Sequence, residues 1–143
     1  MSFDVFVPEI SVVAHRFSPG LRFLVVGGFA AAVHYAVSVI AHGSFEATPW
    51  VANLIGFGAA FPLSYAGHRN WSFAGTRVAH FHAAPRFFAV SLGAFATNQV
   101  LLEFGLRWVG GPFWIVLAVV LVAVAAGTYV LARSWAFSAW QSG

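Results

Sequence analysis

Charge is what this chain lacks most. Its 143 residues include seven basic and four acidic side chains, none of them lysine, and charged residues make up 8 % of the total. An ordinary soluble domain carries about 25 %. A soluble fold this small needs far more polar surface, so the composition excludes one and indicates a single-domain integral membrane protein. Cysteine is absent, which removes disulfides and thiol chemistry and leaves the redox compartment open. Of the four carboxylates, Asp4 and Glu9 lie in the N-terminal tail. No nucleophile–base constellation can be assembled, so the chain reads as a non-enzyme. His80-x-His82 has no acidic or cysteine partner nearby, and Gly27-Gly28 lies inside an apolar run without phosphate-loop grammar. Neither a metal nor any other cofactor is expected. A signal peptide is not expected either, because Asp4 and Glu9 stand where a basic region belongs.

Apolar runs are what the chain has instead. Hydrophobic residues make up 60 % of it. Four segments stand out: Leu21–Ala41, Trp50–Gly67, Phe87–Leu106 and Phe113–Ala132. At about 1.5 Å per residue, each is long enough for a hydrocarbon core of roughly 30 Å. The segments must be helical, since an isolated strand leaves its backbone unpaired in lipid. Short connections join the first to the second and the third to the fourth, which predicts two antiparallel hairpins. Arg16, Arg22, Arg69, Arg77, Arg86 and Arg133 then fall on the side of the termini, with Arg107 opposite. The positive-inside rule puts both termini in the cytoplasm, with the protein multi-pass in the inner membrane. The basic excess therefore bears on orientation, and no nucleic-acid partner is expected. All six tryptophans fall near segment ends, as an interfacial belt requires. Residues 1–20 form a tail, read either as a short interfacial helix or as loosely ordered chain, and residues 139–143 form a second tail.

The chain also repeats itself. "SYAGHRNWSF" and "TYVLARSWAF" both contain Tyr-x3-Arg-x-Trp-x-Phe, 64 residues apart. Laid on Arg86–Phe137, the stretch Arg22–Phe73 is identical at 11 of 52 positions without a gap. Each copy holds an even number of segments, so both insert the same way up as parallel repeats about an axis along the membrane normal. Arg22, Arg69, Arg86 and Arg133 then share one depth, beside Trp71 and Trp135. Two readings stand for this quartet. It is a set of interfacial anchors, or a site where guanidinium forks hold a phosphate and aromatic faces stack on a sugar.

Polar residues recur inside the segments at helical spacing. Gly27, Ala31, His34, Ser38 and His42 share one face of the first, and Asn53, Phe57, Ala60, Ser64 and His68 one face of the second. The third carries Ser91, Phe95, Asn98 and Leu102, with Asn98 at the repeat position of His34. Such stripes serve as interhelical glue or line a polar path through the bundle, here His34, Asn53, Ser64, His68, Asn98, Gln99 and Glu103. Glu103 and Arg107 stand four apart, in the order that favours an ion pair. Gly27-x3-Ala31, Gly28-x3-Ala32 and Gly56-x3-Ala60 offer close-packing faces, within one chain or in a homodimer.

"RFLVVGGFAAAVHYAVSVI", "ANLIGFGAAFPLSYAGHRNWSF", "RFFAVSLGAFATNQVLL" and "YVLARSWAF" together resemble the GtrA-like family of small four-span membrane proteins, over about residues 21–138. The most specific parts are the Arg-Phe-x-x-Val-Gly-Gly opening and the His-Arg-x-Trp-x-Phe close. The family often has asparagine where this chain has Ser64 and His68. The resemblance implies an all-α domain that moves a polyprenyl-phosphate-linked sugar across the membrane for cell-surface polysaccharide synthesis. It implies as partners that lipid-linked sugar, membrane lipid and a polyprenyl-phosphate glycosyltransferase. The alternative it leaves is a non-transporting anchor of such an enzyme. A small multidrug exporter is a third class of four-helix protein, but it needs a buried acid that the first segment, with His34, does not have.

Overall fold

The computed structural model of the chain describes residues 19–72 and 80–136. They form four helices and no strand: α1 is Pro19–Ser44, α2 Pro49–Gly67, α3 His80–Phe104 and α4 Phe113–Ala136. α2 and α3 each run on into a single π turn, His68–Ser72 and Gly105–Val109. The helices coincide with the four apolar segments but outrun them. α3 begins at His80 rather than Phe87, because hydropathy delimits what suits lipid and not what can be helical. His80–Arg86 holds two alanines and no glycine, and it tolerates Pro85 early in the helix. The N-terminal tail to residue 18, residues 73–79 with Arg77, and the C-terminal tail from residue 137 lie outside the described residues.

Local chemistry explains both hairpin turns. After α1, Ala47 folds back on the helix it has left. Its N–H donates to the Ala41 carbonyl at 3.1 Å, and its own carbonyl accepts from His42 Nδ1 at 2.7 Å. Thr48 caps α2, with Pro49 in the first turn, where a missing N–H costs nothing. α3 ends where Gly110 and Gly111 take φ of 76° and 107°, a left-handed stop that only glycine adopts readily. The Gly110 N–H closes the π turn on the Gly105 carbonyl at 3.0 Å.

α1 packs on α2, α2 on α3, α3 on α4, and α4 back on α1, so the helices form a closed ring. The distribution of side chains is the reverse of a soluble bundle. Phe29, Val90, Val119 and Val122 are exposed on the outside, while His34, Ser38, Asn53, His68 and Asn98 are buried. An exterior this apolar suits lipid and not water. α1 over Gly20–Ser44 and α3 with its π turn over Phe87–Val109 are long and apolar enough to cross a membrane, and Phe113–Thr128 of α4 is a shorter apolar stretch. α2, at 19 residues, carries Asn53, Pro62 and Ser64, which dilute its hydropathy.

The bundle has two unlike halves. Near the hairpin turns, Ala41, Ala52, Leu102, Phe113, Val116, Leu117 and Val120 make a solid apolar core. The half nearer the chain termini is hollow. At the most deeply buried positions, burial follows the internal repeat. The largest fully buried side chains are Ser38, Asn53, Leu102 and Leu117, and these are two pairs 64 residues apart. At these two pairs the repeat keeps a position buried while changing polar to apolar; elsewhere it does not, since Val26 is buried and its mate Val90 is exposed.

The α1–α2 contact depends on Gly56. A Cβ there would stand 2.6 Å from the His34 carbonyl oxygen and 2.7 Å from the His34 ring. A Cβ on Gly58, two residues on, meets nothing within 4 Å. Gly56→Ala should therefore cost about 1–3 kcal/mol in reversible unfolding from detergent, with Gly58→Ala within about 0.5 kcal/mol of the parent. Equal behaviour of the two variants would contradict this packing.

Candidate functional site: a polar clamp at the end of a cavity

Asn53 on α2 is fully buried and bonds to both of its neighbours in the ring. Its Oδ1 lies 2.7 Å from His34 Nε2 on α1. An amide oxygen only accepts, so the histidine nitrogen carries the proton in this arrangement. Asn53 Nδ2 donates to Asn98 Oδ1 and to Gln99 Oε1 on α3, each at 2.8 Å. One carboxamide thus joins the first hairpin to the second. Every bond runs in the same direction, from α1 toward α3, and the chain of donors ends on Asn98 Nδ2 and Gln99 Nε2. Both nitrogens, and Ser38 Oγ, are buried without a hydrogen-bond partner among the described residues. An unmet buried donor costs about 1–3 kcal/mol. The far end of the relay is therefore suited to receive oxygen acceptors.

The clamp forms the deep end of a cavity of about 440 Å³ in the hollow half of the bundle. His34 and Asn98 line it directly, one from each hairpin. The repeat organises the rest of the wall. Gly27 pairs with Ser91, Ala30 with Ala94, Ala31 with Phe95, His34 with Asn98, Phe57 with Leu121, Ala60 with Val124, Phe61 with Ala125, and Ser64 with Thr128. Each pair is 64 residues apart, and only Phe23, Leu24 and Gly28 of the lining lack a mate there. The cavity is therefore lined by equivalent positions of the two hairpins. Its walls are chiefly apolar and aromatic, with hydroxyls from Ser64, Ser91 and Thr128. The Thr128 hydroxyl donates to the Val124 carbonyl at 2.8 Å and keeps its lone pairs as acceptors.

A family model described as "GtrA/DPMS, transmembrane domain" matches residues 22–137, nearly the whole described helical region. The chain belongs to that family. Neither a curated protein nor a solved structure matches it. Membership makes it a membrane protein of lipid-linked sugar pathways, in a family of generally non-catalytic membrane domains.

Within this GtrA/DPMS domain the expected polar path divides. His34, Asn53, Asn98 and Gln99 come together as the clamp, and Ser64 lines the cavity wall. His68 is buried at the terminal end, its ring 4.5 Å from Phe23 and 5.7 Å from Phe87. Glu103 is exposed and away from the cavity. Its expected pairing with Arg107 is not formed among the described residues. The helix widens into the π turn at Gly105, and the Arg107 guanidinium carbon instead lies 5.9 Å from the Trp108 ring centroid. Of the arginine quartet, Arg22 opens α1 and Arg69 lies in the π turn after α2, so the hairpin brings them to the same end of the bundle. Arg22, Arg69 and Trp71 are half-buried. Arg86, Arg133 and Trp135 lie on α3 and α4, and their side chains fall outside the described residues.

Spacing alone missed the aromatic wall between α2 and α3. Phe57 stacks on Phe95 at 4.5 Å, Phe61 meets Phe88 edge-on at 5.3 Å, and Tyr65 lies 5.5 Å from Phe87. The signal was present as Phe57-x3-Phe61 facing Phe87, Phe88 and Phe95, but a phenylalanine in an apolar segment does not stand out from its surroundings. Thr128 was missed although it is the repeat mate of Ser64.

Asn53→Leu copies the residue at its repeat mate, Leu117, and deletes three bonds at once. At about 0.6 kcal/mol each in a membrane interior, the loss should be about 2 kcal/mol in reversible unfolding. An unchanged stability would show that the relay does not clamp the hairpins.

Proposed function

We propose that the protein spans the cytoplasmic membrane four times, with both termini in the cytoplasm, and lets a polyprenyl-phosphate-linked sugar pass from the inner to the outer leaflet for cell-surface polysaccharide synthesis. The observation that carries this reading is the cavity between the two hairpins, lined at depth by Asn98, whose amide donor lacks a partner among the described residues. A sugar presents hydroxyl oxygens to such donors and flat C–H faces to phenylalanine rings. Phe57, Phe61 and Phe95 supply the rings, and Asn98 supplies the unmet N–H. Arg22 and Arg69 stand at the mouth end, where their guanidiniums suit the phosphate that joins sugar to lipid. In this reading Arg86 and Arg133 complete the set from the second hairpin, with Trp71 and Trp135 beside them. With the termini in the cytoplasm, the solid core near the hairpin turns fills the outer half of the bundle and the cavity lies in the cytoplasmic half. Passage then requires the clamp to part, and the bonds on Asn53 are weak enough for a bound head group to replace them.

Reconstitution tests this. Vesicles of phosphatidylethanolamine and phosphatidylglycerol holding a polyprenyl-phosphate glucose should move it between leaflets faster with the protein than without. Asn98→Leu and Arg69→Ala should each slow transfer roughly tenfold, the worth of one oriented or charge-assisted hydrogen bond. Transfer no faster than in protein-free vesicles, with a polyprenyl-phosphate glycosyltransferase retained on the protein, would establish the non-transporting anchor instead.

A further inference from the structure

Two seams close the ring between the hairpins, α2 against α3 and α4 against α1, and the repeat maps one onto the other. They are built differently. The α2–α3 seam is zipped by rings: Phe57 on Phe95 and Phe61 on Phe88, at 4.5 and 5.3 Å. The repeat mates of those four residues are Leu121, Ala31, Ala125 and Leu24, so the α4–α1 seam has no ring at these four positions; only the third pair, Tyr65 with Phe87 near the chain termini, has aromatic mates, Tyr129 and Phe23. Exposure shows the consequence. Of all the residues that line the cavity, those that remain exposed are Phe23, Leu24 and Gly28 on α1 and Ala125 and Thr128 on α4. Every lining residue on α2 and α3 is buried or half-buried. Nor are the glycines here spent on close packing. A Cβ at Gly27 or Gly28 meets nothing within 4 Å, in contrast to Gly56.

We propose that the α1–α4 seam is a lateral portal, through which the isoprenoid chain of a lipid runs out into the bilayer while its sugar head group occupies the cavity. This rests on the function proposed above and adds the route by which the substrate sits in the protein. Volume argues for a divided ligand. At about 440 Å³ the cavity is of small-ligand size. That holds a sugar and not a long polyprenyl chain as well. The chain loses nothing by staying in lipid, whereas the head group gains the donors on Asn98 and the ring faces. An opening on the side of the bundle, at the depth of the cavity, meets both requirements.

The test uses the full-length protein in vesicles and a polyprenyl-phosphate glucose with a diazirine on the isoprene units next to its phosphate. After photolysis, adducts that unlabelled lipid competes away should map to Leu24, Gly28, Ala125 and Thr128. Gly28→Trp combined with Ala125→Trp, which fills the portal, should reduce competed labelling roughly tenfold. Val119→Trp, on the lipid-facing outside of α4, should leave it unchanged, and the circular dichroism of both variants should match the parent. Competed adducts concentrated on the outside of α2 and α3 would overturn the portal and leave the function proposed above intact. Labelling that no lipid competes away, at any position, would overturn both.

Discussion

The structure turns on one buried carboxamide. Helices in a membrane gain little from hydrophobic burial, because lipid tails are as apolar as leucine. What holds one hairpin to the next must be close packing or a hydrogen bond that lipid cannot replace. Asn53 supplies the second and stands at the point where the first would fail. Behind it, toward the hairpin turns, Ala41, Ala52, Leu102 and Leu117 pack as a solid core. Ahead of it, toward the chain termini, the helices separate around a cavity. The same side chain thus ends the packed half of the bundle and begins the hollow one. Its bonds are strong enough to define the resting arrangement and few enough to be exchanged for bonds to a ligand.

The two hairpins share a plan but not a chemistry. Ser38 and Asn53 in the first are answered by Leu102 and Leu117 in the second, all four fully buried. His34 is answered by Asn98, which keeps polarity where the hairpins meet. Two of the aromatic pairs between α2 and α3, Phe57–Phe95 and Phe61–Phe88, are answered by leucine and alanine between α4 and α1, while Tyr65 and Phe87 are answered by Tyr129 and Phe23. Duplication explains why equivalent positions of the two hairpins line the cavity. Divergence explains why it has one polar end and one thin wall.

Much of this was legible in the sequence, and the limits have physical causes. Residues spaced by three and four along α1, α2 and α3 named the interior correctly, because a polar group in lipid has nowhere else to point. Gly27, Ala31 and His34, then Phe57, Ala60 and Ser64, then Ser91, Phe95 and Asn98 all line the cavity. The sequence left open whether the stripes were glue or path; His34, Asn53 and Asn98 bond across helices, and Ser64 and Ser91 line the cavity beside them. Which side of the ring is sealed was not legible. Phe57 or Phe95 belongs equally well against lipid or against a neighbour, and only the ring contacts decide. The Glu103–Arg107 pairing failed for a related reason. Spacing by four assumes an unbroken α-helix, and the π turn at Gly105 breaks that assumption.

Reaction of single cysteines with a membrane-impermeant thiol reagent tests the central claim most directly, because the parent chain has none to interfere. Ser64→Cys and Thr128→Cys place one thiol on each hairpin, at repeat-related positions of the same cavity wall. Two like-oriented hairpins around a shared cavity require both to react from the cytoplasmic face, and both to be shielded by one polyprenyl-phosphate glucose. Reaction from opposite faces, or shielding of one without the other, would contradict that arrangement.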